Sequence, residues 1–219
     1  MLTPRNYLSF SQMTLFEMSP EKYAEQYFYG KKQRISRNIR LGSDVADSLQ
    51  NGEDTGDPLV DFVISRLPKF ERMDLPVEDP TGVEVTFVRN KKEIKAFVPV
   101  LKDKRFSIPI LALPDTAKAD YTAFKEYKTS TRRWTQKMVD ESGQISFYAT
   151  AVWLAKKVVP EDIELVCAET AYNPDGSLSP TGDIWRFPTK RTMVDVIKMT
   201  SRMKRAWAGI KELGDKTLF

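Results

Sequence analysis

Apolar positions along this chain repeat first with a helical period and then, from about residue 83, with a strand period. Leu8-Ser9-Phe10-Ser11 leads into a helical pattern that either Ser9 or Ser11 can cap. Ser19-Pro20 opens a second helix, a cap followed by proline at the first helical position, running to about Tyr29. A third helix reads over 39–49 and a fourth over Pro58–Arg66. Beyond them Val83, Val85 and Phe87 alternate with polar neighbours in Val83–Arg89, and Asn90-Lys91 can turn the chain into a strand over 93–98. The continuous apolar run 108–113 predicts a buried strand, and Ala119-Asp120 begins another over 121–128. An amphipathic helix follows over 142–157, closed by Val158-Val159-Pro160. Strands over 163–171 and 183–187 flank the turn-rich Asn173-Pro174-Asp175-Gly176 segment. A last helix reads from about Thr192 to Leu213 and stops at Gly214. Helices, a central sheet, a crossover helix and more sheet make this an α/β chain, and no repeat or low-complexity linker divides it.

Composition narrows the chemistry by what is missing. The 219 residues contain no histidine and one cysteine, Cys167. That excludes Cys/His zinc sites, a Ser-His-Asp triad, a histidine general base and any intrachain disulfide. Catalysis must rest on carboxylates, lysine and tyrosine, with a hard cation held by oxygen. Cys167 sits in an apolar run and reads as a small core residue. With 41% hydrophobic and 29% charged residues the chain can bury a core, as one domain over 1–219. A net charge of +4 permits a polyanionic partner without demanding one. The run Lys31, Lys32, Arg34, Arg37 and Arg40 taken alone reads as a solvated face. The absence of a long apolar run or a signal-peptide core predicts a soluble, cytoplasmic protein with no membrane partner.

The segment that carries chemistry is Leu113-Pro114-Asp115 followed by Phe124-Lys125-Glu126-Tyr127-Lys128-Thr129. Glu126 and Lys128 point the same way on a strand, roughly 6–7 Å apart. Asp115 comes alongside Glu126 if its strand and theirs form a hairpin. Two converging carboxylates suit a divalent cation, which cancels their repulsion, and a lysine beside them can hold a phosphate or an attacking water. That is the minimum kit for metal-assisted phosphodiester hydrolysis. Glu93-Ile94-Lys95, with Asp79-Pro80 upstream, is an internal decoy of the same form. Only the Asp115 group follows a buried apolar strand and precedes a helix presenting Gln144 and Tyr148 four residues apart on one face.

Asp115, Glu126-x-Lys128 and Gln144-xxx-Tyr148 resemble the PD-(D/E)XK nuclease superfamily, in its RecB-like branch with the QxxxY motif, which includes phage-type exonucleases. Leu8-Ser9-Phe10-Ser11, Leu15-Phe16, Ser19-Pro20-xx-Tyr23 and Leu41-Gly42-Ser43 are similar to that branch's N-terminal segments, and Cys167-Ala168-Glu169-Thr170 and Thr181-Gly182-Asp183 to its late strands. The resemblance implies a restriction-endonuclease-like core, a central mixed β-sheet flanked by helices, over 83–213, with a helical N-terminal part over 1–70. It implies Asp115 and Glu126 as ligands of Mg²⁺ or Mn²⁺ with the backbone carbonyl of Tyr127, and Lys128 orienting water or stabilising charge on the phosphate. Gln144 and Tyr148 would position the nucleic-acid strand. Two departures stand out. Where the branch carries a histidine ligand four residues after the helix glycine, this chain has Ala46; Asp47 is the favoured substitute, about 100° around the helix, and Asp44 the other, though both could be surface acids. The cysteines of an iron–sulfur cluster are absent.

Lys125, Arg132, Arg133, Trp134 and Lys137 surround the catalytic strand end and become candidate nucleic-acid contacts. Trp134 either stacks on an unpaired base or packs under the loop. The leading expectation is a stand-alone, metal-dependent DNA exonuclease of phage recombination or repair. The rivals are an endonuclease or flap nuclease on the same core, which would cut circular single strands, and a non-catalytic DNA-binding or protein-interaction module. No P-loop is present, so a helicase would be a separate chain, as would a recombinase or single-strand-binding protein. A homo-oligomeric ring would favour processivity, and no residue pattern reports on it.

Overall fold

The computed structural model describes residues 5–31, 37–51, 55–67, 75–89 and 92–217. The expected turn at Asn90-Lys91, and Lys32 and Arg34 of the basic run, lie outside the described residues. The N-terminal part is helical. α1 (Phe10–Met18) starts where the Ser9 side chain accepts the Gln12 N–H, and α2 (Pro20–Tyr27) where Ser19 accepts the Lys22 N–H. α3 (Arg37–Asn51) and α4 (Pro58–Arg66) follow, the latter capped by Asp57. β1 (Val83–Arg89) and β2 (Lys92–Val98) form an antiparallel hairpin, as do the short β3 (Val100–Lys102) and β4 (Ser107–Pro109). The central sheet runs β5 (Thr116–Ala117), β6 (Ala123–Ser130), β7 (Asp162–Tyr172), β8 (Leu178–Thr189) in that spatial order. β6 and β7 are parallel, joined by a crossover through α5 (Gln136–Asp140) and α6 (Gly143–Lys156); the other pairs are antiparallel. α7 (Met193–Thr217) ends the described chain. This is the mixed sheet flanked by helices that was expected.

Strand alternation sorts the helices onto two faces. Ile163, Leu165 and Cys167 of β7 and Phe124 of β6 join the main core with α6, α7, α1 and α2. Val166, Ala168 and Tyr127 turn the other way, onto Leu41 and Val45 of α3 and Val60 and Val63 of α4. α6 is therefore not the amphipathic helix its sequence suggested. It lies between the sheet and the α1–α7 layer, and Ile145, Phe147, Tyr148, Ala149, Thr150, Ala151, Val152 and Leu154 are all buried.

Two other expectations change. The run 108–113 is buried but is not one strand: β4 ends at Pro109, and the backbone then pairs with separate segments. Leu8 donates to the Pro109 carbonyl at 2.8 Å, Leu111 to that of Leu8 at 3.0 Å, and Val77 to that of Ala112 at 3.0 Å. These contacts satisfy its polar groups without a ladder, which no apolar pattern reports. Nor does Gly214 stop the last helix, which continues to Thr217. A Cβ at Gly214 would lie 3.2 Å from the Phe28 ring, so the glycine seats α2 against α7 instead.

The β1–β2 hairpin has its own small core, Val85, Phe87, Ala96 and Val98 against Tyr7, Leu111 and Leu113. Its base is tied at Gly82, where a Cβ would stand 2.0 Å from the Val98 carbonyl oxygen and 2.9 Å from that of Asp79. Both are backbone atoms and cannot give way. Gly82→Ala should therefore cost about 2–3 kcal/mol in urea denaturation, the range of overpacked sites. A loss under about 0.5 kcal/mol, the scale of an ordinary surface change, would show that the hairpin base is soft.

Candidate active site

β5 pairs with only the first part of β6, Thr116 opposite Lys125 and Ala117 opposite Phe124. One step further along this antiparallel register Asp115 comes opposite Glu126. There a side chain takes over from the ladder: Asp115 Oδ2 accepts the Tyr127 N–H at 2.7 Å. In a strand a residue's N–H and C=O point to the same edge, so the Tyr127 carbonyl faces the Asp115 edge as well. Glu126 and Lys128 project together toward α6, joined by a hydrogen bond from Lys128 Nζ to Glu126 Oε1. Glu126 is 2% exposed, and its carboxyl lies within hydrogen-bonding reach of Asp115. The expected hairpin thus assembles all three groups.

Burial sets the electrostatics. It raises the Asp115 carboxyl above its ordinary pKa, against the pull of Lys128, the Tyr127 N–H and Arg89. Burial also opposes the charge on Lys128, but Glu126 and Asp115 outweigh it and hold the ammonium above its usual range. Lys128 is therefore protonated at neutral pH, a donor of hydrogen bonds and not a base.

Gln144 and Tyr148 do share one face of α6. The Gln144 amide donates to the Tyr148 hydroxyl at 2.8 Å, and the Tyr148 ring meets Phe124 edge-on at 5.9 Å. Burial, then Glu126 and Asp115, push the phenol well above its ordinary pKa, which keeps it neutral beside the carboxylates that act on it. The decoy behaves differently. Lys95 reaches across the hairpin to Glu84 at 3.9 Å, and Asp79 accepts the Thr81 N–H and hydroxyl in a local turn.

The other candidates separate. Asp47 and Asp44 are half-buried on α3, whose Gly42 lies against Thr129, with a Cβ there 3.6 Å from Thr129 Oγ1. Thr129 shares its face of β6 with Tyr127, not with Glu126. Among the described residues no three acidic, histidine or cysteine side chains converge to hold an ion, so Asp47 is not brought into the Asp115–Glu126 pair. Lys125 also turns away, binding Glu164 at 3.0 Å, which Arg186 holds at 3.1 Å; it straps the sheet. Trp134 packs against the main core, the second of its two readings. Arg132 and Lys137 are exposed, Lys137 lying 3.9 Å from Glu141 on the next turn. Lys31 pairs with Glu25 at 2.7 Å, and Arg37 donates to the Gly176 carbonyl.

Arg133 stays near the site through a residue the sequence analysis missed. Its guanidinium lies 3.9 Å above the Trp185 ring. Lys128 is in register with Cys167 and Cys167 with Trp185, so these three side chains form a row on one face of the sheet. The alternation within β8 could have revealed that Trp185 faces the α6 side, but the cross-strand register needed the structure.

The raised Asp115 carboxyl makes a prediction about stability. A folded carboxyl raised above its unfolded pKa weakens the fold as pH rises through that folded value, and the penalty vanishes in acid. In chelator, Asp115→Asn should therefore raise Tm at about pH 8, with the gain shrinking toward about pH 4, the usual carboxylate value. A lower Tm at about pH 8 would mean that the Tyr127 and Lys128 contacts outweigh the burial of charge.

No known family profile and no curated protein sequence matches this chain. Solved structures do. The alkaline exonuclease LHK-Exo of Laribacter hongkongensis aligns at 11% identity, with a TM-score of 0.41 over 98% of this chain and 95% of that one. In complex with dAMP it aligns with a TM-score of 0.46 over 99% and 96%. A Eubacterium rectale protein provisionally assigned as an exonuclease aligns at 13% identity over 96% of this chain and 82% of its own, with a TM-score of 0.53. The likeness to the Eubacterium rectale protein extends over nearly the whole chain, and what it shows is a shared fold.

Proposed function

We propose that this chain is a divalent-metal-dependent DNA exonuclease whose ion, Mg²⁺ or Mn²⁺, is held by Asp115, Glu126 and the backbone carbonyl of Tyr127. The observation that carries this reading is the convergence of a buried carboxyl group, Glu126, and a half-buried one, Asp115, on one lysine beside the Gln144–Tyr148 pair. Carboxylates this close repel one another, and sharing a proton or holding a cation relieves that repulsion. Mg²⁺ is commonly held by one or two carboxylates, with waters and substrate phosphates completing its shell, so the residues present fit it without a third acidic side chain.

Bound there, the ion would polarise a phosphoryl oxygen and acidify a water. The protein's own groups do the rest. Protonated Lys128, fixed by Glu126, donates to the attacking water or to the oxygen on which charge develops. Neutral Tyr148, fixed by Gln144, presents a hydroxyl to the strand lying over the carboxylates. Arg133 over Trp185 extends that surface along the row from Lys128 and suits a backbone phosphate next to a base. Exonuclease action is taken by analogy from the Eubacterium rectale protein, whose fold this chain shares, and DNA as the substrate from the resemblance of the Asp115, Glu126-x-Lys128 and Gln144-xxx-Tyr148 motifs.

The test is cleavage of end-labelled linear DNA with Mg²⁺ or Mn²⁺. Asp115→Ala and Glu126→Ala should lose on the order of 10³-fold or more, Lys128→Ala about 10²–10³-fold, and Lys95→Ala nothing. Equal, negligible cleavage by the native protein and Asp115→Ala would sink the nuclease reading, and efficient cutting of circular single strands would remove the exonuclease part. Because burial raises Asp115, protons compete with the ion on the acid side. Raising the Mg²⁺ concentration should thus move the acid limb of the pH–rate profile to lower pH; a limb that ignores Mg²⁺ would place the titration outside the metal site.

A further inference from the structure

We propose that Arg89, at the tip of the β1–β2 hairpin, is a phosphate-binding residue of this site, contacting the nucleic-acid backbone beside Asp115. The inference rests on the nuclease reading and adds to it a group from an element that reading does not use.

The alternation of β1 leads to the place. On β1 Val85 and Phe87 are buried while Thr86 and Val88 are exposed, so the next inward position is Arg89, which is half-buried. Val85 and Phe87 pack in one cluster with Leu111 and Leu113, and Asp115 follows Leu113 by two residues. Arg89 and Asp115 thus each lie two residues beyond a member of one small core, Phe87 on β1 and Leu113 on the segment before β5. The guanidinium is near enough to act electrostatically on both Asp115 and Tyr148, which belong to different elements. The base of the same hairpin is fixed: Gly82 packs on the Val98 carbonyl, and the Asp79 N–H donates to the Phe97 carbonyl at 3.0 Å.

Charge supplies the reason for a phosphate. Asp115, Glu126, Lys128 and Arg89 sum to zero. A divalent ion bound by the two carboxylates leaves the four groups and the ion at +2, an excess that a phosphodiester backbone is suited to meet. With the ion on Asp115, the attraction that Arg89 feels toward that carboxylate is offset, and its planar fork can take two phosphate oxygens at once. A lysine would retain the charge but not the fork.

Steady-state cleavage and DNA-binding anisotropy across a salt series test this, with Arg89→Ala, Arg89→Lys and, on the exposed side of the same hairpin, Lys95→Ala. Arg89→Ala should lower kcat/KM by at least about tenfold, mainly through KM, and flatten the slope of log Kd against log salt by about 0.7–0.9, one phosphate contact. Arg89→Lys should keep the salt slope and lose part of kcat/KM, and Lys95→Ala should match the native protein. If Arg89→Ala fails to fold by circular dichroism, Arg89→Lys decides: native kcat/KM in that variant would overturn the proposal. So would native KM and salt slope in a folded Arg89→Ala. A native protein that neither cleaves nor binds DNA with Mg²⁺ or Mn²⁺ would overturn the nuclease reading and this one with it.

Discussion

The site depends on a strand that stops too soon. β5 gives β6 a neighbour for two residues only, and then the Asp115 carboxylate accepts the Tyr127 N–H in place of a strand carbonyl. A sheet edge left this way would need another partner for its polar groups. Filling it with a charged side chain satisfies the edge and delivers a carboxylate to Glu126. The same hydrogen bond therefore serves the fold and the chemistry, and Asp115 cannot be changed for one purpose without disturbing the other.

Around that point the sheet divides its labour by face. The side bearing Tyr127, Val166 and Ala168 is given to α3 and α4 and to the Lys125–Glu164–Arg186 strap. The side bearing Glu126 and Lys128 looks toward α6, which is buried along most of its length and so presents Gln144 and Tyr148 from a rigid support. Rigid placement matters for a site built on charge, because the carboxylates remain close in the absence of an ion only if the surrounding packing holds them there.

Much of this was legible in the sequence, for local reasons. Caps at Ser9 and Ser19, alternation in β1 and the four-residue spacing of Gln144 and Tyr148 are properties of neighbouring residues, and they appear as read. What a local reading does not show is partners distant in the chain. Gly214 read as a stop because nothing local shows Phe28 against it. Nothing local shows that Lys125 pairs with Glu164, nearly forty residues away. Asp47 was placed by counting from Gly42, and counting along a helix does not say which face of the sheet that helix covers. Arg89 went unnoticed for a related reason: its hairpin was judged by its exposed charges, not by the inward side where Val85 and Phe87 lead to it.

Cys167 lies between Lys128 and Trp185 in the row across the sheet, 1% exposed, with burial pushing its thiol up to about 12. A thiol so protonated and so enclosed reacts slowly with alkylating or oxidising reagents while the sheet is intact. Since it is the chain's one cysteine, its labelling rate becomes a clock for opening of the sheet beside Lys128, readable by mass without any added probe.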